Sequence, residues 1–223
     1  MQCYNEDTEN KEGLFCMKTV LFQGDSITDC GRNREDSNSL GCGYPLLAAS
    51  LMNEKYAGEY RFLNRGISGN RSTDLYARIK SDIINLKPDY MSILIGVNDV
   101  WHDVAWQNGV APDKFERILR MLLDEVLQEL PELKIFFIAP FFTGDALLEQ
   151  HGQIFPNRVA ENAAIVKRVA ADYGMPCIDA QALFDEACTR APATYWTAEG
   201  VHPTPAGHAL LAKAWIEQFE QMR

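Results

Sequence analysis

No apolar run in this chain approaches the roughly 20 residues that a membrane-spanning helix needs, so no such span is expected. The first 16 residues, Met1 to Cys16, lack a basic stretch followed by an apolar core. No secretory leader is expected there. Positive charge is scarce: 21 Lys and Arg stand against 31 Asp and Glu, a formal net charge of −10. A nucleic-acid backbone or an anionic membrane surface is therefore not the expected partner. Cys-x-x-Cys is missing, and none of the four histidines clusters with cysteine at zinc spacing. Neither a structural metal nor a metal cofactor is expected. The loop at Gly24 lacks both Gly-x-Gly-x-x-Gly and a Lys-Ser/Thr ending, which weakens a nucleotide-cradle reading. The six cysteines, Cys3, Cys16, Cys30, Cys42, Cys177 and Cys188, read as free thiols of a reducing cytosol, making the cytoplasm the expected compartment. Nothing in the sequence lowers a thiol pKa near Cys30 or Cys42, so neither is expected to be reactive.

What is present is ordinary for a globular protein: 47% hydrophobic and 23% charged residues over a length of 223. That length suits one compact domain. The polar, acidic residues 1–16 are set apart as a tail, native or not, ordered or not, and the fold is expected over 17–223. Five apolar segments read as strands: Thr19–Gln23, Tyr60–Asn64, Tyr90–Ile95, Lys134–Ala139 and a weaker Met175–Asp179. The third and fourth are almost wholly apolar, as strands covered on both faces should be. Helical periodicity marks Pro112–Leu130, Pro156–Tyr173 and Pro205–Met222, with Gly174 as a C-terminal cap. The alternation implies an α/β fold, a three-layer α/β/α sandwich on a flavodoxin-like parallel sheet of about five strands.

In such sheets, sites form beyond the carboxyl ends of the strands. Ser26 follows the first strand and Gly66-Ile67-Ser68-Gly69-Asn70 the second. Gly96-Val97-Asn98-Asp99 follows the third, and His202 precedes the last helix. Four loops thus converge on one edge. Ser26 is the candidate nucleophile and His202 its base, since an imidazole of pKa ~6.5 can accept and return a proton at neutral pH. Glu199, three residues earlier, could hold the second ring nitrogen. The backbone N–H groups of Ser26 and Gly69 and the Asn98 amide are candidate oxyanion donors. Glycine at 69 would keep a side chain from blocking close backbone approach. Asp25, Asn70 and Trp101 are placed at the border of a substrate pocket, although an Asp beside a turn, Asp25 or Asp29, more often braces backbone. His208, inside the last helical pattern, reads as a packing or capping residue.

Gly24-Asp25-Ser26-Ile27-Thr28-Asp29, Gly66 to Asn70, Gly96 to Asp99 and Gly200-Val201-His202-Pro203, in this order, resemble the four blocks of the SGNH (GDSL) hydrolase superfamily. The resemblance spans Met17 to Arg223. Within it, Gly24 to Arg32, Ile95 to Trp101 and Val201 to His208 are similar to bacterial intracellular acetylxylan esterases. It implies serine esterase chemistry without metal or other cofactor. The implied substrate is a small-molecule or oligosaccharide ester, with acetylated xylo-oligosaccharides leading, and a homo-oligomer is compatible with it. That family usually carries Asp three residues before the histidine; here the residue is Glu199. A Ser26–His202 dyad, or a backbone carbonyl in place of the acid, stays open beside the triad. Rival readings are a lysophospholipase, thioesterase or general carboxylesterase of the same superfamily. A non-catalytic carbohydrate- or nucleotide-binding flavodoxin-like module is the rival of another class.

Overall fold

The computed structural model describes residues 17–144 and 146–223. The expected tail at 1–16, with Cys3 and Cys16, lies outside the described residues. The strands are β1 (Lys18–Gly24), β2 (Tyr60–Asn64), β3 (Tyr90–Leu94), β4 (Lys134–Ile138) and β5 (Cys177–Ile178). All pair in parallel, in the order β2-β1-β3-β4-β5. That is the flavodoxin-like order. The helices in chain order are α1 (Ser26–Asp29), α2 (Tyr44–Lys55), α3 (Ser72–Ala77), α4 (Ile79–Asp82), α5 (Val97–Trp106) and α6 (Pro112–Glu129). There follow α7 (Ala146–His151), α8 (Ile154–Asp172), α9 (Ala180–Cys188), α10 (Ala193–Trp196) and α11 (Pro205–Met222). Among the described residues no helix is long and apolar enough to cross a membrane.

Strand alternation builds two cores, one on each face of the sheet. Val20, Phe22, Phe62, Tyr90, Leu94, Phe136 and Ile138 face one way, onto α2, α9 and α11. Leu21, Leu63, Met91, Ile93, Ile135 and Phe137 face the other, onto α3, α6 and the second half of α8. Ser92 is the polar exception on the first face. It is fully buried, and its hydroxyl accepts the Trp215 indole N–H at 2.9 Å. Trp215 in turn stacks on Phe219 and meets Phe22 and Phe136. A buried hydroxyl so paired escapes the cost of an unmade hydrogen bond.

Two expected boundaries moved for physical reasons. β5 is shorter than Met175–Asp179 because both flanks are committed elsewhere. Met175 N–H closes α8 on Ala170 C=O at 2.8 Å while Gly174 N–H bonds Ala171 C=O, a Schellman pair. Asp179 leaves the sheet to cap α9, accepting Ala182 N–H at 3.2 Å. α8 begins at Ile154, two positions before Pro156, which sits inside the first turn, where no intrahelical N–H is needed.

Candidate active site

Ser26 opens the single turn of α1, directly beyond β1. Asp25 precedes it as the N-cap, its carboxylate accepting Ile27 N–H at 3.0 Å. Asp25, expected at the pocket border, is 0% exposed, with Oδ1 turned to the α1 backbone. Burial pushes its carboxyl up to about 7, against the hydrogen bond from Ile27. The second oxygen, Oδ2, has no partner among the described residues.

His202 and Glu199 arrive together on the loop between α10 and α11. The loop is pinched at its neck by a bridge between Thr197 and Pro203, and Ala198 N–H donates to His202 C=O at 2.8 Å. Thr204 ends it by capping α11, its hydroxyl accepting Gly207 N–H. Within the loop, Glu199 Oε1 accepts both the His202 backbone N–H, at 3.0 Å, and the His202 ring at Nδ1. A carboxylate only accepts, so Nδ1 carries the ring hydrogen and Nε2 is left as the acceptor. Nε2 stands 2.8 Å from Ser26 Oγ, whose hydroxyl therefore donates to it. The bond to Glu199 raises the His202 imidazole above its ordinary value, against the opposing effect of burial. Burial would raise Glu199, but the ring and amide that donate to it prevail and hold its carboxyl below the usual range.

The Gly69 loop and α5 complete the edge. Ser26 N–H and Gly69 N–H donate to no described residue. Gly69 has φ +82°, and an added Cβ would meet nothing within 4 Å. That positive φ is a backbone conformation that favours glycine. Asn98 lies in the first turn of α5, almost buried, and one hydrogen of its Nδ2 donates to Asn70 C=O at 3.1 Å. The other hydrogen is left for a ligand. Asn70 also accepts Arg78 Nε–H on its side-chain Oδ1 at 2.8 Å. Trp101, one turn further along α5, sets its ring 5.9 Å from the His202 ring and is braced edge-on by Phe155.

Several residues that hold this edge were not singled out in the sequence. Asn64, at the end of β2, donates to Thr28 C=O at 2.6 Å and accepts Gly66 N–H at 2.8 Å, tying α1 to the Gly69 loop. Asp29, expected from the sequence to brace backbone, adds a second tie by accepting Ser68 N–H at 2.9 Å. Arg78 bonds Gly24 C=O, Arg65 C=O and Asp82 as well as Asn70. Asp99, buried beside Asn98, accepts both the N–H and the hydroxyl of Ser72. Burial pushes its carboxyl up to about 6 against those hydrogen bonds. A polar residue closing an apolar strand could have flagged Asn64; no local pattern marks Arg78. His208, expected to pack, is buried on α11 and bonds Tyr44 N–H and Cys30.

Residues 22–210 match the GDSL-like lipase/acylhydrolase family. The chain is 38% identical over 219 residues to an acetylxylan esterase of Geobacillus stearothermophilus, covering 92% of this chain and 95% of that protein. A crystal structure of a GDSL-like lipase from Parabacteroides merdae superposes with a TM-score of 0.86 at 34% identity, over 92% of this chain and 98% of that one. A catalytic serine-to-alanine mutant of the Geobacillus esterase superposes with a TM-score of 0.80 at 32% identity, over 90% and 93%. Another catalytic mutant of the same esterase replaces an aspartate by alanine.

Proposed function

The chain belongs to the GDSL-like lipase/acylhydrolase family and is a carboxylic ester hydrolase, and from that premise we propose that Ser26, His202 and Glu199 form its catalytic triad. The observation that carries this reading is the 2.8 Å contact between Ser26 Oγ and His202 Nε2, with Nε2 kept as the acceptor by Glu199. The Ser26 hydroxyl gives its proton to Nε2 as Oγ attacks the ester carbonyl. The resulting imidazolium faces the Glu199 carboxylate. Negative charge on the former carbonyl oxygen is met by Ser26 N–H, Gly69 N–H and the free hydrogen of Asn98 Nδ2. Collapse expels the alcohol, protonated by His202, and leaves Ser26 acylated. Water then attacks with His202 as base and releases the acid.

The substrate in this reading is an acetyl ester of a xylo-oligosaccharide. Likeness to the Geobacillus acetylxylan esterase along 92% of the chain supports it. A formal charge of −10 suits a neutral carbohydrate better than a polyanion. A cytoplasmic location belongs to the same reading, supported by Cys30, Cys42, Cys177 and Cys188 standing as free thiols.

Ser26→Ala is the direct test. The variant should keep its circular-dichroism spectrum and lose turnover of p-nitrophenyl acetate and labelling by a fluorophosphonate. Retained turnover would remove Ser26 from the mechanism. Acyl-chain profiling of the parent enzyme tests the acetyl preference, and an optimum at long acyl chains would favour the lysophospholipase or thioesterase reading instead.

A further inference from the structure

We propose that Cys30 and Cys42 are a modification site: a thiol pair that closes to a disulfide by exchange with a low-molecular-weight disulfide such as oxidised glutathione. The site is separate from ester hydrolysis. Cys30 is the C-cap of α1, at the opposite end of that turn from Ser26, and Cys42 lies just before α2.

The two sulfurs are 3.5 Å apart and unbonded. Cys42 N–H donates to Cys30 C=O at 2.9 Å, and the Cys42 thiol donates to the same carbonyl at 3.1 Å. This backbone pairing keeps the two Cα atoms near the ~4.4–6.8 Å that a disulfide spans. Closing the sulfurs to bonding distance, about 2.05 Å, then takes side-chain rotation and little else. Gly43 lets the segment lie this close: a Cβ there would fall 2.7 Å from Cys30 Cβ and 2.8 Å from His208 Cε1.

His208 gives the pair a polar neighbour. Tyr44 N–H donates to its Nδ1 at 3.1 Å, so Nε2 carries the ring hydrogen and points it at Cys30 Sγ, 3.3 Å away. Burial pushes His208 down to about 4, so at neutral pH it is an uncharged N–H donor. Such a donor favours the thiolate form of its sulfur. The opposing influence is burial of Cys30 itself, which pushes that thiol up to about 11. Cys30 is therefore the resolving thiol, and exposed Cys42 reacts first.

The exchange balances as two displacements. Cys42 Sγ attacks one sulfur of RSSR; the S–S bond breaks, and RS⁻ leaves and takes up the Cys42 proton. Cys30 Sγ then attacks Cys42 Sγ in the mixed disulfide, expelling a second RS⁻ that takes up the Cys30 proton. Two protein thiols are oxidised and one RSSR is reduced to two RSH. The product ties the turn that begins with Ser26 to the start of α2.

The test uses the full chain, incubated with oxidised glutathione, alkylated, digested and mapped by mass spectrometry. Expected is one linked peptide pair containing Cys30 and Cys42, both protected from alkylation and both released by dithiothreitol. Cys42→Ser should leave Cys30 alkylatable and free of glutathione, because the first attacking thiol is gone. Three results would overturn the proposal: both thiols alkylated after oxidation, a stable glutathione adduct on Cys42 beside a free Cys30, or Cys42 linked to another cysteine. Should Cys42→Ser fail to fold, Cys30→Ala offers the second arm, in which glutathione must remain on Cys42; an unmodified Cys42 there equally overturns it.

Discussion

Glu199→Gln should slow hydrolysis by about 10- to 100-fold, far less than the wrong-tautomer effect of about 10⁴ known for an Asp-to-Asn change in a serine-protease triad. The reason lies in one oxygen. Glu199 Oε1 accepts the His202 backbone N–H at 3.0 Å and the His202 ring hydrogen together. A glutamine amide can satisfy that backbone N–H only with its oxygen. The same oxygen then still meets Nδ1–H, so Nε2 remains the acceptor for Ser26. What is lost is the negative charge that faces the imidazolium in the transition state. A hydrogen bond to a charged group is worth ~1.5–3 kcal/mol against ~0.5–1.5 for a neutral pair. The difference, about 1.5 kcal/mol, is roughly tenfold in rate. The His202 side chain is 41% exposed, and solvent screening keeps the loss toward that low end. The pH profile supplies a second readout. Glu199 raises His202 above its ordinary value, and His202 must be neutral to accept the proton. Removing the charge lowers that pKa, so the acid limb of kcat/KM moves to lower pH. Both quantities come from initial rates on p-nitrophenyl acetate across pH. A loss near 10⁴ would show that the amide turns its NH₂ to the ring. An unchanged rate with an unmoved acid limb would exclude Glu199 from the mechanism.

In the proposed mechanism Asn98→Ala removes one oxyanion donor, and it should lower kcat by about 10²–10³ with a small change in KM; a rise in KM alone would make Asn98 a ground-state contact. Asp25→Asn probes the buried carboxyl, whose pKa rises from 3.8 to about 7 on folding. The native state then binds a proton that the unfolded chain gives up, so this group's contribution is present below pH 3.8 and is lost as pH rises through about 7. Asparagine cannot ionise, so the Tm of the variant relative to the parent should improve from about pH 5 to about pH 8. An offset that is equal at both pH values would refute an ionising Asp25.

The parts legible in the sequence are those whose pattern survives folding unmixed. β3 and β4 are buried on both faces, and their apolar runs mark them directly. α6 presents Phe115, Ile118, Leu119, Leu122 and Val126 as one inward stripe. α2 escapes the same reading because Leu46 and Leu51 are exposed while Tyr44, Ala48, Ala49 and Met52 are buried, which smears its stripe. The site's four loops follow from strand ends, and Ser26, Gly69, Asn98 and His202 all stand at that edge. Asn98 itself read as a loop residue, yet it belongs to the first turn of α5, since the apolar stretch before it hides the switch from strand to helix. The burial of Asp25 and the bonds of Arg78 depend on which strands become neighbours. No local spacing encodes that.

The pinched loop between α10 and α11 has a further consequence. Glu199 and His202 are fitted to each other inside one short closed segment, held at its neck by Thr197 and Pro203. The segment as a whole is fitted to the serine through the Ser26–His202 contact. Swapping an aspartate for a glutamate is then first a problem of that loop's internal geometry. The same segment is anchored on two sides, to α11 through Thr204 and to the stretch beyond β4 through Thr143, whose N–H donates to Gly200 C=O at 2.8 Å.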